Sequence, residues 1–297
     1  MLAMASALKQ NAPNSPVAIL VEGVVDLVPL PQAYVRIREL VDDPIVSLRD
    51  IAEIVSTDPA LTARVLRLVN SAYLGLMTPI DSIEHAVRVL GMQQIHDMAL
   101  ATSAIGSLSR LRGDLFNIFD FWRLSVYCGA SAREVAVRMN LPAPQRLFVC
   151  GMLHNVGSLI IAHEMPTAFA ECAQLARDIE RPYFALQREL FGFDYAEVGA
   201  EMMVRWNLPD GLIRPIRQHT QCIDNLSEED RPNAAALSIA ATTARAASWQ
   251  SPESEPIPDY DPGALLVADV DADGIEMLMV HVDDVVAESL AVLLPVR

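Results

Sequence analysis

The chain has 297 residues, of which 52% are apolar and 20% are charged, and its formal net charge is −16. This composition excludes a disordered chain, because enough apolar surface is available to bury a sizeable core. The acidic balance argues against nucleic-acid binding through a broad basic face and against docking on an anionic membrane, since both partners carry negative charge.

The first part of the chain predicts an arm followed by a bundle of short helices. Residues 1–21 contain the polar, proline-bearing segment Lys9–Pro16, which is typical of a flexible arm or a linker. Residues 22–112 show apolar side chains spaced three and four apart, as in amphipathic helices. Cap residues mark the helix boundaries in this part: Ser47, Asp58 before Pro59, the capping-box pair Asp81 and Glu84, and Gly91.

Residues 113–250 predict a second helical unit, and residues 251–297 a loop with a last helix from about Asp273 to Leu293. The second unit should contain a long helix from Phe119 to Met139, an apolar helix or helix pair from Leu147 to His163, and an alanine-rich helix from Pro232 to Trp249. No strand-like alternation of apolar and polar residues is found. The predicted fold class is therefore all-α, with an N-terminal helical bundle packed on a helical core.

The cysteines and the apolar runs bear on the compartment. Four cysteines form no Cys-x-x-Cys pair and should be reduced, mostly buried thiols of a cytoplasmic protein: Cys128, Cys150, Cys172 and Cys222. The N-terminus has no basic segment followed by an apolar core, so we expect no signal peptide. Polar residues, among them Glu22 and the pair His154-Asn155, interrupt the long apolar runs, so we expect no transmembrane span.

The adjacent polar residues His154 and Asn155 lie inside the apolar run of the second unit. Burying a histidine and an asparagine costs free energy unless each side chain finds a hydrogen-bond partner. The pair therefore indicates either a functional site or the hydrogen bonds that remain from one.

Several spaced motifs resemble the HDOD domain family over about residues 22 to 222. They are Asp58-Pro59-Ala60-Leu61, Leu66 to Ala72, Ile83 to Gly91, Gly151-Met152-Leu153-His154-Asn155-Val156-Gly157, Phe191 to Gly199, and Trp206 to Pro209. The resemblance implies an all-helical relative of the HD and HD-GYP phosphohydrolases, with a helical subdomain ahead of the HD-like core. It also implies a role in signalling, commonly without hydrolase activity, beside receiver, diguanylate-cyclase-like or kinase modules.

The resemblance locates the positions at which an active HD hydrolase would hold its metal ion, and most of them have lost their ligand. The replacements are Leu124 for a histidine, Asn155 for the aspartate of the paired His-Asp, Tyr195 for a histidine, His219-Thr220 for a histidine pair, and residues 238–243 for the final aspartate. His154 and His219 remain as good ligands, and two imidazoles rarely hold a metal alone. We therefore expect a degenerate site with no catalytic residue, no metal and no cofactor.

Two functions follow from this interpretation. The first is a non-catalytic regulatory module that acts through contacts with signalling proteins, in which His154 and Asn155 bond to each other, to Tyr195 and to backbone carbonyls. The alternative is a residual metal-dependent phosphohydrolase, or a nucleotide-binding sensor, that uses a pocket around His154 and His219. The partner, the input signal and the oligomeric state are left open.

Other candidate sites are weaker. The segment Asp269 to Gly274 resembles the start of an EF-hand loop, but Val280 stands where the loop needs a glutamate, so a capped helix start is expected. Cys150 and His154 share a helix face without further metal ligands nearby, so a buried thiol is expected. The remaining histidines are expected at the surface or at helix ends: His85, His96, His163 and His281.

Overall fold

The computed structural model describes residues 15–41, 46–71, 78–109, 111, 117–247 and 256–293, and within these ranges the chain forms helices and no strand. The first part contains α1 (Pro16–Val24), α2 (Gln32–Val41), α3 (Leu48–Ser56), α4 (Pro59–Val69), α5 (Ile83–Leu90) and α6 (Met92–Leu108). The second part contains α7 (Ile118–Arg138), α8 (Pro144–Leu153), α9 (Val156–Glu164), α10 (Pro166–Asp178), α11 (Tyr183–Phe191), α12 (Tyr195–Arg205), α13 (Asp210–Gln218), a 3-10 helix (Ile223–Asn225), α14 (Arg231–Ala246), α15 (Pro262–Ala268) and α16 (Ala272–Leu293). The predicted all-α class is confirmed.

Helix starts in the first part largely follow the predicted caps. Ser47 and Asp50 form a capping box on α3, and Asp58 accepts hydrogen bonds from two backbone amides of α4. The capping box predicted at Asp81 is wrong. Ser82 is the cap of α5 instead, because its extended backbone lets its hydroxyl accept a hydrogen bond from the amide of His85.

A helix begins inside the segment assigned to the N-terminal arm. Residues 1–14 lie outside the described residues, whereas the helix α1 begins at Pro16, inside the segment assigned to the arm. Ser15 caps this helix by accepting a hydrogen bond from the amide of Ala18, and proline is well suited to a first helical position. The side chains of Leu20 and Val21 are buried, so this helix belongs to the core.

Two long-range hydrogen bonds fasten the first part of the chain to the second. The indole nitrogen of Trp206 donates to the carbonyl of Val28 at 3.1 Å, and Arg38 donates to the carbonyl of Trp206 at 2.6 Å. α1 packs against α9 and α12, and α6 packs against α8. Of the link between α6 and α7, the structure describes Ser109, Leu111 and Asn117, so the predicted boundary at residues 112 and 113 lies outside the described residues.

The centre of the second part is the helix α7, which packs against α8, α14 and α16. α7 and α8 cross at two glycines. A Cβ atom on Gly151 would lie 2.5 Å from the Cα atom of Gly129, and a Cβ atom on Gly129 would lie 2.8 Å from the carbonyl oxygen of Phe148. These glycines are therefore required by the close approach of the two backbones.

The apolar stretch Pro144–Glu164 consists of α8 and α9. Among the described residues, it is the one helical stretch that is long and apolar enough to cross a membrane by length and composition. However, 89% of its most apolar window is buried inside the protein. The helix is also interrupted at His154 and Asn155, between α8 and α9. The stretch is the buried centre of the helical core.

Candidate functional site

His154 lies where α8 ends, and it is completely buried. Its Nδ1 atom is 2.7 Å from the carbonyl oxygen of Gly151, which can only accept, so Nδ1 carries the proton. The Nε2 atom is therefore an acceptor, and it has no hydrogen-bond partner among the described residues. Contrary to the expectation from the sequence, Asn155 makes no hydrogen bond to His154. Its Oδ1 atom instead accepts a hydrogen bond from Ser158 at 2.6 Å.

His219, Tyr195 and Arg245 form a buried chain of hydrogen bonds. Nδ1 of His219, which follows α13, donates to the carbonyl of Ile216 at 2.7 Å, so its Nε2 atom accepts from the Tyr195 hydroxyl at 3.2 Å. That hydroxyl in turn accepts a hydrogen bond from Nη2 of Arg245 at 3.1 Å. The three side chains come from α12, α14 and the end of α13, which the fold brings together.

The two histidines meet at this site and are both neutral near pH 7. Their ring centroids are 5.6 Å apart in an edge-to-face arrangement. Burial, followed by the positive charge of Arg245, holds the pKa of His154 well below its usual value. Burial is also the main cause that lowers the pKa of His219 to about 3.

Arg245 is the functional-site residue that the sequence reasoning missed. Its side chain is 4% exposed, and its Nη1 atom donates to the carbonyl of Ala241 one turn earlier on α14. A guanidinium cannot lose its proton in a protein, so a fixed positive charge stands beside Tyr195. A signal was present in the sequence. Arg245 follows Ala241 by four residues, and this spacing places it on the same face of the alanine-rich helix as Ala241.

The donor set does not fit a divalent metal ion. Leu124 is partly buried and packs against the core as a hydrocarbon, and α14 contains no acidic residue. His219 uses its Nε2 atom for Tyr195, and the Asn155 oxygen accepts from Ser158. No group of three or more His, Cys, Asp or Glu side chains that could hold a metal occurs within the described parts of the chain. The fixed charge of Arg245 would also repel a cation.

A second buried cluster, also missed, anchors the start of α12. Asp194 is completely buried; its Oδ2 atom accepts from Arg188 at 2.6 Å and from the Thr220 hydroxyl at 2.8 Å. Its Oδ1 atom accepts from the amide of Glu197 in a capping box, whose Asp-x-x-Glu spacing is visible in the sequence. The cluster fixes the first turn of the helix that carries Tyr195.

A cavity of about 300 Å³ opens beside this cluster, and we call it the His219 cavity. Tyr195, His219 and Arg245 line it at one side, and Arg188 lines it as well. His154 and Asn155 are not among the described residues that line it, so the pocket expected around His154 and His219 is formed on the His219 side.

His96 departs from the expected surface position, whereas His85, His163 and His281 are partly exposed as expected. His96 is 2% exposed because it lies on α6, a helix that is buried on most of its faces between α2, α4 and α8. Its Nε2 atom is 3.0 Å from the Tyr34 hydroxyl and its Nδ1 atom is 3.1 Å from Asp97. Buried polar groups paired in this way contribute to holding α2 against α6.

The remaining predictions on single residues are confirmed. Asp271 accepts a hydrogen bond from the amide of Gly274 and so caps the start of α16, as predicted for this segment. Three of the four cysteines are buried and Cys222 is exposed. Burial raises the pKa of the Cys150 thiol, which makes it a poor nucleophile or metal ligand.

Comparison with solved structures finds the same architecture elsewhere. A protein of Shewanella amazonensis SB2B named "Putative phosphohydrolase" is 27% identical, with a TM-score of 0.71 and coverage of 93% of this chain and 98% of that chain. An HDOD domain protein with unknown function from Geobacter sulfurreducens is 23% identical, with a TM-score of 0.70 and coverage of 93% and 96%. The chain therefore has the fold shared by these proteins.

Comparison with curated proteins finds a longer relative. An uncharacterized protein of Treponema pallidum (strain Nichols) is 26% identical over 238 residues, which cover 79% of this chain and 45% of the relative. This chain thus spans less than half of the length of that relative. The sequence pattern of the HDOD domain matches residues 27–222, which is most of the chain. The resemblance inferred from the motifs is confirmed, and the chain belongs to the HDOD domain family.

Proposed function

We propose that this chain is a non-catalytic regulatory module of signal transduction that works in the cytoplasm through contacts with other proteins. Its partners would be signalling proteins such as receiver, kinase or cyclic-nucleotide-turnover modules. Membership of the HDOD family supports the signalling role. The state of the HD remnant supports the absence of hydrolysis.

The observation that carries this proposal is the guanidinium of Arg245 at 3.1 Å from the Tyr195 hydroxyl. In a metal-dependent hydrolase a divalent cation would supply positive charge and activate water, held by imidazoles and carboxylates. Here the positive charge comes from a guanidinium, which does not coordinate and ionise water as a metal ion does. The site keeps a buried cation and loses the chemistry that a metal would supply.

The relatives also favour a role within larger signalling assemblies. The Treponema pallidum relative is more than twice as long as the region it shares with this chain. A Marinobacter aquaeolei VT8 protein of the same fold, named "Putative signal transduction protein", has 64% of its chain covered, with a TM-score of 0.68 and 20% identity. Both proteins extend beyond the region that they share with this chain, and we infer that this chain acts on a partner.

A hydrolysis assay tests the absence of catalysis. The purified chain is incubated with cyclic dinucleotides, (p)ppGpp and nucleoside phosphates in the presence of Mn²⁺, Mg²⁺ or Zn²⁺, beside an active HD-type phosphohydrolase. We expect product formation no faster than for the His154→Ala variant. Metal-dependent turnover by the native chain that disappears in His154→Ala would refute the proposal and favour the residual-hydrolase alternative.

A second assay tests the contact with signalling proteins. A two-hybrid screen of the chain against receiver, kinase and cyclic-nucleotide-turnover modules from its own source organism should return a specific partner. That interaction should survive in His154→Gln, because the buried remnant has a structural role. If no such module binds, or if binding depends on His154, the proposed division between a structural core and an interacting surface is wrong.

A further inference from the structure

The His219 cavity is built from several separate elements. Arg188 comes from α11, Arg245 from α14, and His219 with Thr220 from the turn after α13. Its volume of about 300 Å³ lies at the lower end of the range of small-ligand pockets. Cavities of this size that gather charged groups from separate elements are the usual places for ligand binding.

Two guanidinium groups line this cavity. The Arg188 side chain is 36% exposed. Its Nη2 atom forms a salt bridge with Asp194 and donates a hydrogen bond to the Thr220 hydroxyl. Its other guanidinium nitrogens make no hydrogen bond within the described ranges. Arg245 adds a second, buried positive charge. Both side chains line the cavity together with His219.

The lining of the cavity also contains groups that accept hydrogen bonds. Asp259 and Asp261 line it from the segment ahead of α15, and the hydroxyl groups of Ser238 and Thr242 line it from α14. Asp261 already uses Oδ1 to accept from the amide of Ala264, whereas Asp259 is exposed. A ligand that suits this lining has an anionic group for the guanidinium groups and hydrogen-bond donors for the carboxylates.

We propose that the His219 cavity binds a small organic anion without a metal ion. Its phosphate or carboxylate group lies between the charges of Arg188 and Arg245, and its hydrogen-bond-donating part faces Asp259 and Asp261. This role rests on the proposed function, because a core that does not hydrolyse its ligand can report the presence of that ligand to a partner. Arg245 thereby supplies the positive charge for which relatives with a complete ligand set would need a metal.

The test uses Cys222, which lines the cavity and is the exposed member of the four cysteines. The full chain is kept in chelator at low salt and titrated with inorganic phosphate, adenosine monophosphate and glutamate by calorimetry. In parallel, the rate at which a thiol reagent modifies Cys222 is measured. We expect saturable binding of at least one probe in chelator, together with slower modification of Cys222; the order of the three probes separates a phosphate site from a carboxylate site.

Three variants decide whether the signal comes from this cavity. Arg188→Gln removes a charge and Ser238→Leu fills space, and each should weaken binding by about tenfold or more, as expected for loss of a charge-assisted hydrogen bond or of ligand volume. Arg181→Gln is the matched control, since Arg181 pairs with Glu189 at the surface and does not line the cavity. It should bind as the native chain does.

Three results would overturn the proposal: no binding of any probe, binding that requires a divalent metal, or equal weakening by Arg181→Gln and Arg188→Gln. Absence of binding would leave the proposed contact with signalling proteins intact, because that is measured by the two-hybrid screen. Conversely, binding followed by turnover in the presence of metal would refute the non-catalytic function while leaving the cavity as a ligand site.

Discussion

The buried histidines make the stability of this protein dependent on pH, and substitution of His219 by Gln isolates the effect. In the folded chain the pKa of His219 is lowered to about 3, mainly by burial, and that of His154 is lowered in the same direction. Unfolded histidine has a pKa of about 6.5. The contribution of each histidine is therefore fully present above about pH 6.5 and is lost as the pH falls towards the folded pKa.

The expected size follows from this difference. At about pH 5 an unfolded histidine is almost entirely protonated, while the folded His219 ring stays neutral, so this residue alone should cost about 2 kcal/mol of stability relative to pH 7.5. His154 should add a loss of the same sign. Since whole domains are stable by about 5–15 kcal/mol, the loss is a large fraction of the total.

The measurement is urea unfolding of the native chain and of His219→Gln at several pH values between about 5 and 7.5. Glutamine stays uncharged, can accept a hydrogen bond from Tyr195 and can donate one to the Ile216 carbonyl. On acidification, the free energy of unfolding of the variant should therefore fall by about 2 kcal/mol less than that of the native chain. The control is His85→Gln, because the His85 side chain is 40% exposed. Equal acid sensitivity of the native chain and His219→Gln would show that the His219 ring is not buried neutral.

Further predictions concern packing, the α12 anchor and thiol exposure. In Gly157→Ala the new Cβ atom would meet the Tyr195 carbonyl and lie 2.7 Å from the amide nitrogen of Gly199, so unfolding should become easier by about 3 kcal/mol or more. Gly106→Ala, with no atom within 4 Å of the new Cβ, should instead stabilise by about 0.5–1 kcal/mol; equal urea midpoints would contradict this difference. Asp194→Asn keeps a capping oxygen but removes the charge that faces Arg188, so it should destabilise by about 2 kcal/mol in the same assay, and an unchanged midpoint would contradict the buried ion pair. A thiol reagent should modify Cys222 rapidly in the folded chain and all four cysteines only in denaturant; rapid modification of a second thiol would disprove the described burial.

The amino-acid sequence by itself determined the fold class and the family. Apolar spacing of three and four, the caps at Ser47 and Asp58, and the apolar run around His154 depend on neighbours within a few turns of helix, so they can be recognised locally. The sequence also predicts a degenerate metal site at Leu124, Asn155 and Tyr195, because the family resemblance places weaker or non-ligating residue types at these positions.

The tertiary structure decided which side chains meet at the candidate site. Arg245 follows Tyr195 by 50 residues, and Thr220 follows Asp194 by 26, so their contacts arise only when α12, α13 and α14 pack together. The same holds for His96, whose burial depends on α2 and α8 as well as on its own helix. Local spacing reports which face of a helix is apolar, whereas the partner of a buried charge is set by packing between distant segments.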